Sequence, residues 1–253
     1  MADLNPIMRL KLRTQSCTED EGGHAVWQVA ETPLEVPARS MAIIICDMWD
    51  LHWSRGATER VGALAEQINT TITAARARGV TIIHGPADVT ECYAATPARQ
   101  RALDVPQVVP PPTESAAEDD PPLPIDDSDG GSDTGEREAK RVWNCQHPSV
   151  RIDQEQDFIS EDGCEIYSLL RHRAIRLTVI MGVHTNMCML NRPYGIKQMV
   201  RWGVSIALAR DLTDAIYNPA MPPYVNHDEG TRLVVEYIEK FWCPTVAGGD
   251  VFA

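Results

Sequence analysis

The chain has 253 residues, 43% hydrophobic and 23% charged, which suffices for one large α/β domain with a substantial core. Its formal net charge of −13 and isoelectric point near 4.9 argue against a nucleic-acid or anionic-membrane surface, since phosphate binding needs clustered positive charge. No apolar run is long enough for a membrane-spanning helix, the opening Met1-Ala-Asp-Leu-Asn-Pro6 lacks signal-peptide order, and seven cysteines without regular spacing suit a reducing cytoplasm.

In chain order, residues 1–40 carry alternating stretches, Met8–Arg13 and His24–Val29, that predict a β arm ahead of a main domain at 41–253. Met41–Cys46 is an apolar run that reads as a buried strand, with Asp47 at its C-terminal end. From Ala57 to Arg78, Val61, Leu64, Ile68, Ile72 and Ala75 recur at helical spacing, and Gly79 is the stop. Val80–His84 predicts the second strand. The stretch 85–147 contains Pro110–Pro112 and then Glu118-Asp-Asp-Pro-Pro-Leu-Pro-Ile-Asp-Asp-Ser-Asp-Gly-Gly131. Proline, glycine and acid at that density predict an inserted loop with no regular element, and its start after His84 suits a lid. Asp127, Asp129, Asp133 and Glu138 echo a calcium loop, but Ser132 stands where that loop needs glycine.

Ser149–Asp153 reads as a third strand. Gly163–Arg173 reads as a helix with Ile166, Leu169 and Leu170 on one face, and Leu177–Met181 as a further buried strand that Gly182 breaks. A helix is expected from near Cys188 to about Trp202, with Pro193 in its first turns or kinking it. Val204–Ala209 and Gly230–Phe241 complete the series as strand and helix. Strands alternating with helices predict a three-layer αβα sandwich on a mainly parallel, roughly six-stranded sheet. The absence of a Gly-x-Gly-x-x-Gly turn weakens a dinucleotide-binding version of it.

In such sheets ligands bind outside the carboxyl ends of the strands, and both Asp47 and Cys188 fall there. Alone, Asp47 would be a capping residue and Cys188 a small buried hydrophobe. Together they suggest chemistry. A thiol at a strand-to-helix junction lies beside unpaired N–H groups that favour thiolate. A neighbouring carboxylate can take the thiol proton and return it to a leaving group.

The segments Ile43-Ile-Ile-Cys-Asp47 and Gly182-Val-His-Thr-Asn-Met-Cys188 resemble those of the isochorismatase-like cysteine hydrolases, the superfamily that includes nicotinamidase. The resemblance runs over roughly residues 40–248 in the order of elements. It implies Asp47 as general base and Cys188 as nucleophile. It also implies an oxyanion held by the backbone N–H groups of His184 and Cys188, and a non-proline cis peptide at Val183–His184. A lysine after the third strand is implied as well. Of the four lysines, Lys11, Lys140, Lys197 and Lys240, only Lys140 lies in the required interval, whereas the expected third strand supplies Arg151. Arg151 is favoured because it lies on that strand; a guanidinium can hold a carboxylate but cannot move a proton near neutrality.

Nicotinamidase-like relatives hold a metal through Asp and His, for which Asp50, His52 and His84 are available here. Hydrogen-bonded residues at a pocket mouth are the favoured reading, so neither metal nor cofactor is expected. Trp49, His52, His84 and Asn186 are expected to line a substrate pocket, whose aromatic wall suits a flat, conjugated molecule. Asn191 and Arg192 serve equally as substrate contacts or as surface and capping residues. The expected activity is cysteine-dependent hydrolysis of a small amide or related C–N bond through a thioester. The expected setting is a cytoplasmic homo-oligomer acting on a small molecule, without nucleic-acid or membrane partners. Two alternatives stand beside it: vinyl-ether hydrolysis, which needs no cysteine, and a catalytically silent binding protein of the same fold.

Overall fold

Strands β1 (Ile7–Glu19) and β2 (Ala25–Pro37) form a long antiparallel hairpin, with Ile7 opposite Pro37 and Glu19 opposite Ala25. They are followed by β3 (Met41–Cys46), helix α1 (Arg55–Ala77), β4 (Thr81–Gly85), α2 (Pro97–Leu103), β5 (Phe158–Ile159) and α3 (Gly163–His172). Then come β6 (Leu177–Val183), the short α4 (Cys188–Asn191) and α5 (Ile196–Arg201), β7 (Ile206–Asp214), α6 (His227–Phe241) and β8 (Thr245–Val246). This computed structural model describes residues 5–113 and 120–252. The opening residues Met1–Leu4, and Glu118 and Asp119 of the acidic stretch, lie outside the described residues.

The sheet order is β2-β1-β8-β7-β6-β3-β4-β5. Six strands, β3 to β8, run parallel. The sheet is nevertheless eight-stranded and mixed, not six-stranded, because the N-terminal hairpin joins it: Arg13 pairs antiparallel with Thr245. β3 and β6 lie at its centre, buried along their whole length, as continuous apolar strands covered on both faces must be. Alternate residues of β3 serve the two layers. Ala42, Ile44 and Cys46 pack with Ile166, Ile196, Met199, Val234 and Tyr237 from α3, α5 and α6. Ile43 and Ile45 pack with Val61, Ile68 and Ile72 from α1.

Three expected elements differ. Ser149–Asp153 is not a strand; its backbone turns, with Val150 N–H donating to His147 O and Asp157 N–H to Asp153 O. The strand beside β4 is β5, with Ile83 opposite Phe158. The start of the 85–147 stretch contains α2, with Thr96 capping Arg99 N–H and Pro97 in the first turn, where its missing donor costs nothing. The helix expected from Cys188 to Trp202 is two helices, broken at Arg192-Pro193-Tyr194-Gly195.

Candidate active site

Asp47 ends β3 in the left-handed region, at φ 46°, which is uncommon outside glycine, asparagine and aspartate. Its N–H continues the sheet by donating to Gly85 O, and its carbonyl accepts from Trp49 N–H at 2.8 Å, turning the chain sharply. The carboxylate is fully buried. Oδ1 accepts Ala87 N–H at 2.9 Å, and Oδ2 accepts Arg192 Nε–H at 2.7 Å.

The β6 end reaches the same place by a tight backbone approach. Gly182, at φ 118°, lies so close to β3 that a Cβ there would meet Cys46 O at 2.1 Å. The register against β7 shifts at this point, and β6 runs on through Gly182 to Val183 instead of stopping. The next peptide, Val183–His184, is cis. His184 O accepts from Met187 and Met189 N–H, closing the turn that leads into α4. Cys188, 8% exposed, then places its thiol beside the Asp47 carboxylate, near enough for each group to shift the other's pKa. The Cys188 N–H has no acceptor among the described residues.

Burial pushes the Asp47 carboxyl up to about 6, against the opposing pull of Arg192. Burial and the Asp47 charge push the Cys188 thiol far above its ordinary range. At neutral pH the pair is therefore a carboxylate beside a neutral thiol. This corrects the expectation of a thiolate: α4 is four residues long, so its dipole is small, and desolvation of the sulfur dominates. Arg192 stays charged, because the Asp47 carboxylate outweighs the cost of its partial burial.

Arg192 is the cation on Asp47, and neither Arg151 nor Lys140 fills that role. Arg151 is exposed beside Glu66, Asn69 and Thr70 of α1, its N–H held by Asn69 Oδ1; the strand expected to carry it does not exist. Lys140 is exposed as well. The signal for Arg192 lies in the sequence: it precedes Pro193, and residues before proline avoid the helical region. Arg192 accordingly adopts φ −59°, ψ 156°. Its side chain reaches back to Asp47 and, through Nη2, to Asp88 at 3.0 Å. Two residues on, fully buried Tyr194 donates its hydroxyl to Gly85 O at 2.6 Å.

The pocket wall is aromatic. The end of the 85–147 stretch pairs antiparallel with the residues after Asp47: Trp49 bridges Gln146, His147 N–H donates to Met48 O, and Asp50 accepts from Asn144 N–H. That ladder lays Trp143 over Trp49, with centroids 4.4 Å apart, and over His52 at 5.8 Å. His52 in turn meets His184 edge-on at 4.9 Å. Burial holds His52 down at about 4 and His184 at about 3, so both rings are neutral. Trp143 Nε1 and His184 Nε2 are buried without a hydrogen-bond partner among the described residues. Sequence reasoning missed Trp143 because nothing local distinguishes it from any half-buried tryptophan.

Two expected pocket residues are committed elsewhere. His84 packs into the network beneath α1, between Gln146 Oε1 at 3.1 Å and Asp157 Oδ2 at 3.0 Å. Asn186 ties loops together, donating to Asp127 Oδ2 and Ile216 O and accepting Ile216 N–H. Asp50, His52 and His84 do not converge; among the described residues no group of three or more His, Cys, Asp or Glu could hold a metal ion. Three of the four acids of the calcium-like spacing are likewise engaged, Asp127 by Asn186, Asp129 by Asn218 and Asp133 by Arg60, while Glu138 is exposed.

No family model and no curated protein matches the chain. Its fold is similar to that of a cysteine hydrolase from Pseudomonas syringae pv. phaseolicola, with TM-score 0.51 and 14% identity over 86% of this chain and 92% of that one. An isochorismatase family protein from Burkholderia thailandensis gives TM-score 0.47 and 13% identity over 84% and 93% of the two chains. N-carbamoylsarcosine amidase from Thermoplasma acidophilum gives 0.40 and 13% over 77% and 92%. The likeness to the first of these is one of fold, and it agrees with the fold expected from the Asp47 and Cys188 segments. Among the described residues no helix is long and apolar enough to cross a membrane.

Proposed function

We propose that the protein is a cysteine-dependent hydrolase of a small amide or related C–N bond, working through a thioester. The observation that carries this reading is the buried Cys188 thiol beside the Asp47 carboxylate, which Arg192 holds through Oδ2. A neutral thiol with an adjacent base suits proton transfer in step with attack, so that no free thiolate need accumulate. As Cys188 Sγ bonds to the carbonyl carbon, its proton passes to Asp47. The N–H groups of His184 and Cys188 then hold the oxyanion. Collapse breaks the C–N bond, and Asp47 returns the proton to the departing nitrogen. Water next attacks the thioester, giving its proton to Asp47, and as the C–S bond breaks to release the acid Asp47 passes that proton to Sγ, restoring both thiol and carboxylate.

Arg192 in this scheme is a positioning residue: it fixes the carboxylate and keeps it ionised, and it moves no proton. The reading is tested by assaying released ammonia over a panel of small carboxamides. Turnover is expected to fall by several orders of magnitude in Cys188→Ala and in Asp47→Asn, without additivity in the double variant, because the two act as a unit. Retention of most activity by Cys188→Ala would sink the thioester route and favour a water-mediated reaction such as vinyl-ether hydrolysis.

A further inference from the structure

The amino edge of the sheet, opposite the Asp47–Cys188 edge, carries a cavity of about 490 Å³ lined by Arg39, Thr81, Arg101, Gln156 and Arg173, among others. Its size is that of a small-molecule site, and its charge is unusual for a chain of net charge −13. Arg101 spends two donors on the backbone carbonyls of Gln154 and Asp157. Arg173 Nη1 donates to Thr81 Oγ1 at 3.3 Å. Both guanidinium groups lie against the Phe158 ring, 5.7 and 4.7 Å from its centroid. Arg39 makes no side-chain hydrogen bond among the described residues; its backbone N–H donates to Asn5 Oδ1.

None of the three forms an ion pair among the described residues. The carboxylates nearby do not neutralise them. Asp157 is shielded and committed to Arg76 and His84, and Glu155 is exposed at the rim. Burial, together with the charge of Arg101, holds Arg173 below its ordinary range, a repulsion that a bound anion would relieve. Planar guanidinium forks match the oxygens of a phosphoryl group, and several donors remain unspent.

We propose that this cavity binds a small phosphate monoester, its phosphoryl group held between Arg39 and Arg173 and its organic part in the remaining volume. The site is independent of the reaction at Cys188.

The test is calorimetric titration of the full-length protein with inorganic phosphate and with glucose 6-phosphate, at ionic strength held constant by sodium chloride. One saturable site per chain is expected for both, tighter for the monoester. Arg39→Gln and Arg173→Gln should each weaken it about tenfold or more, the loss of a charge-assisted pair. Glu155→Gln should tighten it by removing a like charge from the rim. Should Arg173→Gln fail to fold, Arg39→Gln decides, since no side-chain hydrogen bond is lost with it among the described residues. The proposal is overturned if wild type shows no saturable heat with either anion, if the arginine variants bind as wild type does, or if inorganic phosphate binds and the monoester does not.

Discussion

Asp47 is asked to be buried, ionised and basic at once, and Arg192 is what makes that possible. With its carboxyl raised to about 6, the proposed base is ionised only above that pH. The rate should therefore fall as pH drops through about 6 in the kcat/KM profile. Replacing Arg192 by Gln removes a charge that lowers the Asp47 pKa, so the acid limb should move to higher pH and the rate at pH 7 should fall. Arg192→Lys should restore part of both, and Arg151→Gln should leave the profile unchanged, because that side chain stands exposed beside α1. A wild-type profile in Arg192→Gln would show that the ion pair does not set the base.

At the scale of elements, the last part of the 85–147 stretch acts as a cover, pinned by the Trp49–Gln146 bridge and the bonds to Asp50. Trp143 rests on the Trp49 and His52 rings with its Nε1 unpartnered, at the cost that an unmet buried donor carries. Trp143→Ala should expose the sulfur without altering its chemistry. Peptide-resolved mass spectrometry should find Cys188 slowly alkylated by iodoacetamide at pH 7 in wild type and faster in Trp143→Ala, with the pH midpoint of alkylation unchanged. Rapid alkylation of wild type below pH 8 would contradict the neutral buried thiol. Equal rates in the two proteins would mean that Trp143 does not close the pocket.

For the whole molecule, buried titratable groups set opposing pH dependences. Asp47 has a folded pKa above its unfolded 3.8, so its contribution is complete below about 4 and is lost as pH rises through about 6. At 1.36 kcal/mol per unit that loss is on the order of 3 kcal/mol. His227, raised by its bond to Asp214 in spite of burial, acts in the same direction: its contribution is present below 6.5 and lost above its folded pKa. Asp157 and Asp214 act oppositely. Burial would raise both, but bonds from His84 and Arg76, and from His227 and Arg60, hold them below 3.8. Their contribution is present above that value and lost as pH falls through the folded pKa. His52 and His184, held by burial at about 4 and about 3, act in the same direction as these two: their contribution is present above 6.5 and lost as pH falls towards those values. Two such groups outweigh the single Asp47 carboxyl between pH 4 and 6, so stability should peak at about pH 6 to 7 in urea midpoints measured from pH 3 to 9. A midpoint that falls steadily from pH 4 to 7 would refute these assignments.

The sequence by itself determined the two central strands, because Met41–Cys46 and Leu177–Met181 are continuous apolar runs that only a doubly covered sheet can bury. By the rule that ligands meet the carboxyl ends of such strands, it also brought Asp47 and Cys188 to one edge. The periodicity of Val61, Leu64, Ile68 and Ile72 fixed α1 in the same way. What only the tertiary structure decided depends on contacts between residues far apart in the chain. The hairpin's entry into the sheet hangs on Arg13 meeting Thr245. β5 is two residues long and carries too little pattern to read. The state of the thiol follows from burial, which outweighs the helix terminus that its local sequence advertises. Arg192 and Trp143 reach the site across a proline break and a long insertion, and local periodicity carries no information about where such segments land.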